Sequence, residues 1–451
     1  MKKVRIASGA GYAGDRIEPA IDVMKNGNID YIAFECLAER TIAIAQSEKL
    51  KNPDRGYNNL LEERFNEILP ICSEKKVKVI TNMGAANPVA AIKKIKEIAN
   101  LKNIKNLKLA AVIGDDISVN LNKYGENNIL ELNKKLSEIS DTLVSANAYL
   151  GVEGIIEALE NNADIVITGR CADPALFLAP LIYEFKWNRD NADLMAKGIM
   201  IGHLLECGAQ VSGGYYSVPG KDDIKDLWNV GFPIAEVSEN GDVVITKTET
   251  TTGKVTPDTC KEQLIYEIHN PKEYITPDGI ADFTTISLKE IDKNKVFLTG
   301  ATGKKKPDTL KVSIGYKDCF IGEVFISYGG SLAFEKAKEA KEVLEKRLEL
   351  RKISYDEIRF DYIGLNSLYE DKISNLIRKE NSFSEIRLRI AVRTKNRETA
   401  KKVVDEVETL YTNGPSGGGG VTKAIEEVVS IAEQNKASIE HLAQEVGRFK
   451  I

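Results

Sequence analysis

The chain has few of the residues that announce common chemistries. Of its 451 residues only three are histidine (His203, His269 and His441) and two are tryptophan. His203 and Glu206 stand at metal-pair spacing, but with no second histidine cluster a zinc site is not expected. The six cysteines, Cys36, Cys72, Cys171, Cys207, Cys260 and Cys319, are scattered with no CxxC pair. That pattern argues against a zinc knuckle and, in a reducing compartment, against structural disulfides. Positive charge is not in surplus either. Lys and Arg number 62 against 67 Asp and Glu, a formal net charge of −5, and the two signs alternate along helices without clustering, so no nucleic-acid partner is expected. No apolar run approaches the roughly 20 residues of a membrane span. The opening MKKVRIASGAG passes into a strand and a glycine turn without a signal-peptide core, which points to the cytoplasm. Internal repeats of about 20–50 residues and low-complexity linkers are also lacking.

What is present is apolar sequence, 43% of the chain, enough for large cores in about two or three domains. Short continuous apolar runs recur at 3–8, 30–35, 77–81, 107–113, 142–146 and 164–168, each followed by a Gly/Asn/Asp turn and a helical pattern. Strands apolar on both faces and separated by helices belong to a parallel sheet. One helix shows its start clearly: Asn87 caps, Pro88 takes the first position, and Ile92, Ile95 and Ile98 form a core stripe. A long apolar helix over 192–210 and the VSGGYY sequence close this region, after which the period changes to two at 242–249, 295–301 and 309–316. Further on, two strands, a helix over about 332–352, two strands and a helix over 397–411 suggest a ferredoxin-like sandwich. We therefore expect an α/β fold: a parallel sheet with flanking helices and an active-site edge over 1–212, a β-rich segment over 213–308, and an α+β ferredoxin-like domain over 309–451. Six βα units are also compatible with an incomplete barrel whose remaining strands come later.

The first strand runs into Gly9-x-Gly11-x-x-Gly14, with Glu35 ending the next strand, as in a dinucleotide-binding fingerprint. Pro19 speaks against that reading, because it would lie deep in a helix that the fingerprint starts within the glycines. A helix starting near Glu18 is expected instead, and Asp15 would set a carboxylate near a diphosphate. A tight glycine turn is the plainer account. In a parallel sheet all carboxyl ends share one edge. Gly9 to Asp15, Glu35-Cys36, Asn82 to Gly84, Gly114 to Asp116, Asn147 and Gly169 to Asp173 should meet there and hold a small carboxylate or phosphate-bearing ligand.

Ten motifs in order, among them SGAGYAGDRIEPA, FECLAERTIA, TNMGAANP, GHLLECGAQVSGGYY and PDTLKVSIGY, resemble the acyclic terpene utilisation (AtuA) family over roughly residues 3 to 330. The resemblance implies a bacterial cytoplasmic catabolic protein acting on branched, unsaturated acids or their thioesters. It also implies a small ferredoxin-like portion, appended in longer members and a separate protein beside shorter ones. A separate small subunit and a homo-oligomer are expected. Cys171 stands where relatives carry an aliphatic residue, which lowers its interest as a catalyst.

The expected catalytic groups are Glu35, Cys36, His203 and Asp115. Glu35 at a buried strand end next to Phe34 suits an acid–base role, or else pairs with Arg40. His203 and Cys207 lie one turn apart on one helix face, with Glu206 beside them. Gly9, Gly11, Gly14, Asp15, Arg40, Asn82, Gly84, Asp116, Arg170, Asp173 and Cys207 are the expected substrate or anion contacts. Arg170 with Asp173 could form a carboxylate fork or a structural salt bridge. Asp115 and Asp116 could bind magnesium, position a substrate hydroxyl or cap a turn. GPSGGGGVTKA at 414–424 is expected to precede a helix and cradle phosphate, for example of a coenzyme A thioester. No metal site is expected with certainty. Together these features suggest a hydratase or isomerase of a short branched or unsaturated acid or its CoA thioester. A nicotinamide-dependent oxidoreductase and a non-catalytic scaffold subunit are the alternatives.

Overall fold

The computed structural model describes residues 2–118, 123–129, 132, 134–369, 371, 373–374, 383–438 and 449–450. It divides into two compact units, Met1–Gly315 with Ile431–Ile451, and Tyr316–Ser430.

In the first unit, β1 (Lys3–Ala10), β2 (Tyr31–Phe34), β3 (Lys78–Thr81), β4 (Leu109–Val112) and β8 (Ile165–Thr168) pair in the order β1-β2-β3-β8-β4, every contact parallel. Alternate residues of one strand enter opposite cores: Tyr31 and Ala33 pack with helix α6 (Ala175–Phe185) and α7 (Ala192–Glu206), while Ile32 and Phe34 pack with α1 (Glu18–Asn26), α3 (Leu61–Lys75) and α4 (Pro88–Leu101). This two-sided burial is why the strands read as unbroken apolar runs. Helix starts follow the local sequence: Pro19 lies in the first turn of α1, and the Asn87 side chain accepts a hydrogen bond from Ala90 N at 3.3 Å to open α4. Helices α2 (Glu39–Lys51) and α5 (Glu153–Glu160) follow β2 and precede β8.

The sheet is mixed, not purely parallel. Beyond β1 it continues antiparallel through β9 (Pro233–Ser238), β10 (Val243–Lys247), β14 (Lys295–Thr299) and β13 (Ser287–Asp292), so the strands expected in a separate middle segment extend the first sheet. At the other edge Phe449–Lys450 pairs antiparallel with β4. Among the described residues the sheet order ends at β13 and at Phe449–Lys450 and does not close into a barrel. The run at 142–146 also departs from expectation: as β7 (Leu143–Ala148) it leaves the sheet and pairs with β16 (Thr309–Gly329), and Tyr149 N donates to Lys311 O at 2.9 Å. Two small sheets complete the unit, β5 (Asn128–Ile129) with β6 (Lys134–Lys135), and β11 (Tyr274–Thr276), β12 (Gly279–Asp282) and β15 (Thr302–Lys304). Ala281 of β12 shares a core with Ile199 of α7, and α8 (Pro257–Ile265) reaches the same helix through Gln263 Nε2, which donates to His203 O at 2.8 Å.

The second unit runs from the later part of β16 through α9 (Ala333–Leu350), β17 (Glu357–Ile363), β18 (Glu385–Thr394), α10 (Arg397–Glu408) and β19 (Gly419–Ser438). Its strand order is β17-β18-β16-β19, and Val324, Ile326, Leu388 and Ile390 meet Ala337, Leu344 and Val404 of the helices in one core. The glycine run at 414–420 leads into a strand. With no helix behind it, the phosphate cradle expected there loses its dipole and its converging N–H groups.

Candidate functional site

The first unit holds a cavity of about 240 Å³ whose wall is rich in charge: Glu39, Tyr149, Arg170, Asp173, His203, Glu206, Tyr274 and Lys311 all line it. Arg170 comes from the turn after β8 and is only 2% exposed. Its backbone N–H donates to Asp115 Oδ2 at 2.9 Å. Its Nη1 donates to Leu37 O and lies 3.3 Å from Asp173 Oδ1, and its guanidinium stacks 3.9 Å above the Tyr149 ring. Such a cation is buried only because carbonyl, carboxylate and aromatic face together replace water.

Opposite stands the last turn of α7. Gly202 lets that helix close on the Asp173-Pro174 segment, since a Cβ there would come within 2.6 Å of Pro174 Cα. His203 Nδ1 and Glu206 Oε1 are 2.7 Å apart, and the imidazole is flanked by Tyr274 and Phe283. With the proton on Nδ1 and donated to Glu206, Nε2 presents a lone pair. His203 Nε2 and Glu206 Oε2 are both buried without a protein partner.

The carboxyls of this wall are pushed apart in acidity. Burial would raise Glu39, but Arg170, the Tyr149 hydroxyl and Lys311 outweigh it and hold Glu39 at about 2. Burial raises Asp173 well above the usual carboxylate range; Arg170 pulls it back in part, and Glu35, Glu206 and Glu39 add to the rise. Two carboxyls of one cavity, one held well below and the other raised well above the ordinary range, show the separation that acid–base chemistry uses.

The strand-end residues expected to form the site do converge, but mainly on one another. Glu35 Oε1 accepts from Leu37 N at 2.9 Å and Asn82 Nδ2 at 3.0 Å, while Asn82 Oδ1 accepts from Cys36 N at 2.7 Å. Burial raises Glu35 against those two bonds. Asp115 also accepts from Asn147 Nδ2 at 2.8 Å and is pushed up to about 6 by burial. Asp116 accepts from Ser118, and among the described residues no group of three or more His, Cys, Asp or Glu is arranged to hold a metal ion. Cys36 receives Arg64 Nη1 on its sulfur at 2.9 Å, yet burial pushes its thiol up to about 12, as it does for Cys171. Arg40 is exposed and does not pair with Glu35. His269 is exposed, and His441 lies outside the described residues.

The glycine loop serves packing. A Cβ on Gly11 would lie 2.3 Å from the Cys207 backbone, so the loop rests directly on the end of α7, and Asp15 Oδ2 accepts from Gly11 N at 2.9 Å. Gly9 lies against the Phe34 ring, Gly84 against Thr168 O, and Gly14 edges a second, apolar cavity of about 410 Å³ with Cys36, Leu37 and Tyr57. Because α1 begins at Glu18, no helix N-terminus stands inside the glycine motif, and the dinucleotide fingerprint loses its phosphate-binding feature. Sequence reading singled out Arg170, Asp173 and His203 from the cavity wall and passed over Glu39, Tyr149, Lys311 and Tyr274. A signal was available only for Glu206, three residues after His203.

Fold and cavity define a mixed α/β protein with a small, charge-lined pocket. The chain belongs to the acyclic terpene utilisation family: the family described as "Acyclic terpene utilisation family protein AtuA" matches residues 4–441. No curated protein matches it. Among solved structures it is similar to "De novo designed protein Foldit4", at 14% identity over 25% of this chain and 99% of that one, with a TM-score of 0.17. Among the described residues no helix is long and apolar enough to cross a membrane.

Proposed function

We propose that this protein is an acid–base enzyme that hydrates or isomerises a short branched or unsaturated carboxylic acid, or the acyl part of its CoA thioester. The observation that carries the reading is the His203–Glu206 pair, with Nε2 unpartnered, on the same cavity as Asp173, whose carboxyl burial raises, and the cations Arg170 and Lys311. Arg170 and Lys311 hold the carboxylate or polarise the thioester carbonyl. For hydration, His203 Nε2 takes a proton from water as its oxygen bonds to the β-carbon, and Asp173 gives a proton to the α-carbon. Transfer of the proton from His203 back to Asp173 restores both groups. For isomerisation, the same two groups remove and return a carbon-bound proton. Glu35 and Asn82 position the Cys36–Leu37 turn whose carbonyl holds Arg170. The cavity lies below the roughly 300–1,000 Å³ of sites that enclose drug-sized ligands, so the coenzyme portion of a thioester stays outside. A role in acyclic terpene utilisation fits branched unsaturated substrates. In the second unit, the strand order β17-β18-β16-β19 with two helices on one face supports a ferredoxin-like reading.

The test is to incubate the purified chain in D₂O with 3-methylbut-2-enoate and with its CoA thioester, following the vinylic proton by NMR. Deuterium exchange or hydration is expected, reduced about 100-fold or more in His203→Gln, as for loss of a general base, with an unchanged melting temperature. No reaction of either compound, with the chain alone or with other short unsaturated acids, removes the reading. A fluorescence response to NADH or NADPH would favour the oxidoreductase instead.

A further inference from the structure

The cavity already contains an anion that belongs to the protein. Glu39 is the first residue of α2, and its Oε1 accepts the Tyr149 hydroxyl, lies 3.3 Å from Lys311 Nζ and lies 3.5 Å from Arg170 Nη2. Two cations and a phenol are the donors that a bound carboxylate would need. Yet the fit to Arg170 is incomplete. At 3.5 Å the Nη2 contact is an ion pair longer than a normal N–H···O bond, and Arg170 Nε is buried without a partner. The Nε–Nη2 edge is one on which a guanidinium grips a carboxylate through two parallel hydrogen bonds. In a side chain 2% exposed, leaving that edge half-used is costly unless something else comes to occupy it.

The two partners differ in freedom. Arg170 is fixed by Leu37 O, Asp173 and the Tyr149 ring. Glu39 has about a third of its side chain exposed (32%) and sits between the exposed residues Ala38 and Arg40, so rotation about its side-chain bonds carries the carboxylate into water. We infer that Glu39 is an internal stand-in for the substrate's carboxylate and that the substrate displaces it from Arg170, Lys311 and Tyr149. The inference rests on the proposed function only in taking the ligand to be a carboxylate. It narrows the ligand as well: with Glu39 turned out, two cations and a hydroxyl face one carboxylate head, and an uncharged amide has nothing to gain from the exchange.

The probe is 3-methylbutanoate, which is saturated and undergoes no reaction, titrated calorimetrically into the wild-type chain and Glu39→Gln. The variant is expected to bind it about twofold to fivefold more tightly, the scale of freeing a partly exposed ion pair. For 3-methylbutanamide the two proteins should not differ. Adding Lys311→Ala to the variant should abolish the gain. Equal or weaker binding by a cooperatively melting Glu39→Gln protein overturns the inference, as does no binding by either form. If that variant does not fold, Glu39→Asp, whose shorter side chain withdraws the carboxylate from Lys311 and Tyr149, must bind more tightly than wild type, and otherwise the inference fails. Tighter binding without turnover of unsaturated acids leaves it standing and removes the hydratase or isomerase reading; turnover without the gain removes the inference alone.

Discussion

Two regions of the first unit use the same residue types to different ends. At the strand-end rim, Glu35, Asn82 and Asp115 bond to one another's neighbours: Glu35 to Leu37 N, Asn82 to Cys36 N, Asp115 to Arg170 N. In the cavity wall three side-chain atoms, Arg170 Nε, His203 Nε2 and Glu206 Oε2, are buried without protein partners, against one at the rim, Asn147 Oδ1. A buried polar group whose bonds are all made fixes the backbone, whereas one with an atom in reserve is available to a ligand. The contrast teaches that convergence at a sheet edge is not enough to define a site. What matters is which of the converging atoms are still unpaired.

The largest effect that would break this contrast is expected at Arg170, which belongs to both regions. Arg170→Met keeps the backbone bond to Asp115 but leaves the ionised Glu39 without its buried counter-charge. A loss of about 4 kcal/mol is expected, in the range for breaking one side of a buried pair, read from the urea midpoint. Glu39→Gln on the same background should restore part of it, because the two residues are coupled. An Arg170→Met protein as stable as wild type would place Arg170 outside the electrostatics of the wall.

Next in size is a pH effect at the rim. Asp115 titrates near 3.8 when unfolded and about 6 when folded. The folded state holds its proton more tightly, so the stability it contributes is complete below about pH 4 and is lost as pH rises through 6. A shift of about two units corresponds to roughly 3 kcal/mol at most. Asp278, raised to about 7 mainly by burial, acts in the same direction over pH 4 to 7, so the informative quantity is a difference between proteins. In Asp115→Asn the carboxyl no longer titrates, and the stability of the variant minus that of wild type should climb between pH 4 and 6 and then level off. A flat difference across that window would show that Asp115 is not held protonated by the fold.

Much of the fold was legible because burial on both faces leaves a mark on the sequence. Runs such as DYIAFE and DIVIT appear as the buried strands β2 and β8, and Pro19 correctly moved the first helix start away from the glycines. Strand partners were not legible. Nothing in the apolar character of 142–146 says that it pairs with β16 instead of the main sheet, and period two at 242–249 does not say that Val243 will face Val237 across a mixed sheet. The site was legible only in part for the same reason. Glu39, Tyr149 and Lys311 come from segments more than a hundred residues apart, and only the β7–β16 pairing brings the last two together. On α7, the four-residue spacing drew attention to Cys207, while the bond forms to Glu206 at three.

A smaller effect is expected at the glycine loop. Gly11→Ala places a methyl 2.3 Å from the Cys207 backbone carbon, where neither side can rotate away. A cost of about 2 kcal/mol is expected, typical of overpacking, measured by urea unfolding, and a fluorescence titration should show no NADH or NADPH binding by the wild type. If the alanine is tolerated without cost, the loop does not rest on α7 as described.

The smallest effect is expected at Arg40, and it tests whether charge near the site matters by itself. Arg40 follows Glu39 directly, yet its side chain projects into solvent on the first turn of α2, and Glu35 takes its bonds from Leu37 and Asn82 instead. A cation in water is screened within about a Debye length of roughly 8–10 Å, and exposed substitutions usually fall within about 0.5 kcal/mol. Arg40→Ala should therefore leave the urea midpoint within that margin. Affinity for 3-methylbutanoate should change by less than about twofold between low and physiological salt. A larger loss of affinity that vanishes in high salt would mean that Arg40 draws anions toward the cavity, and would extend the wall's electrostatics to a residue with no bond to it.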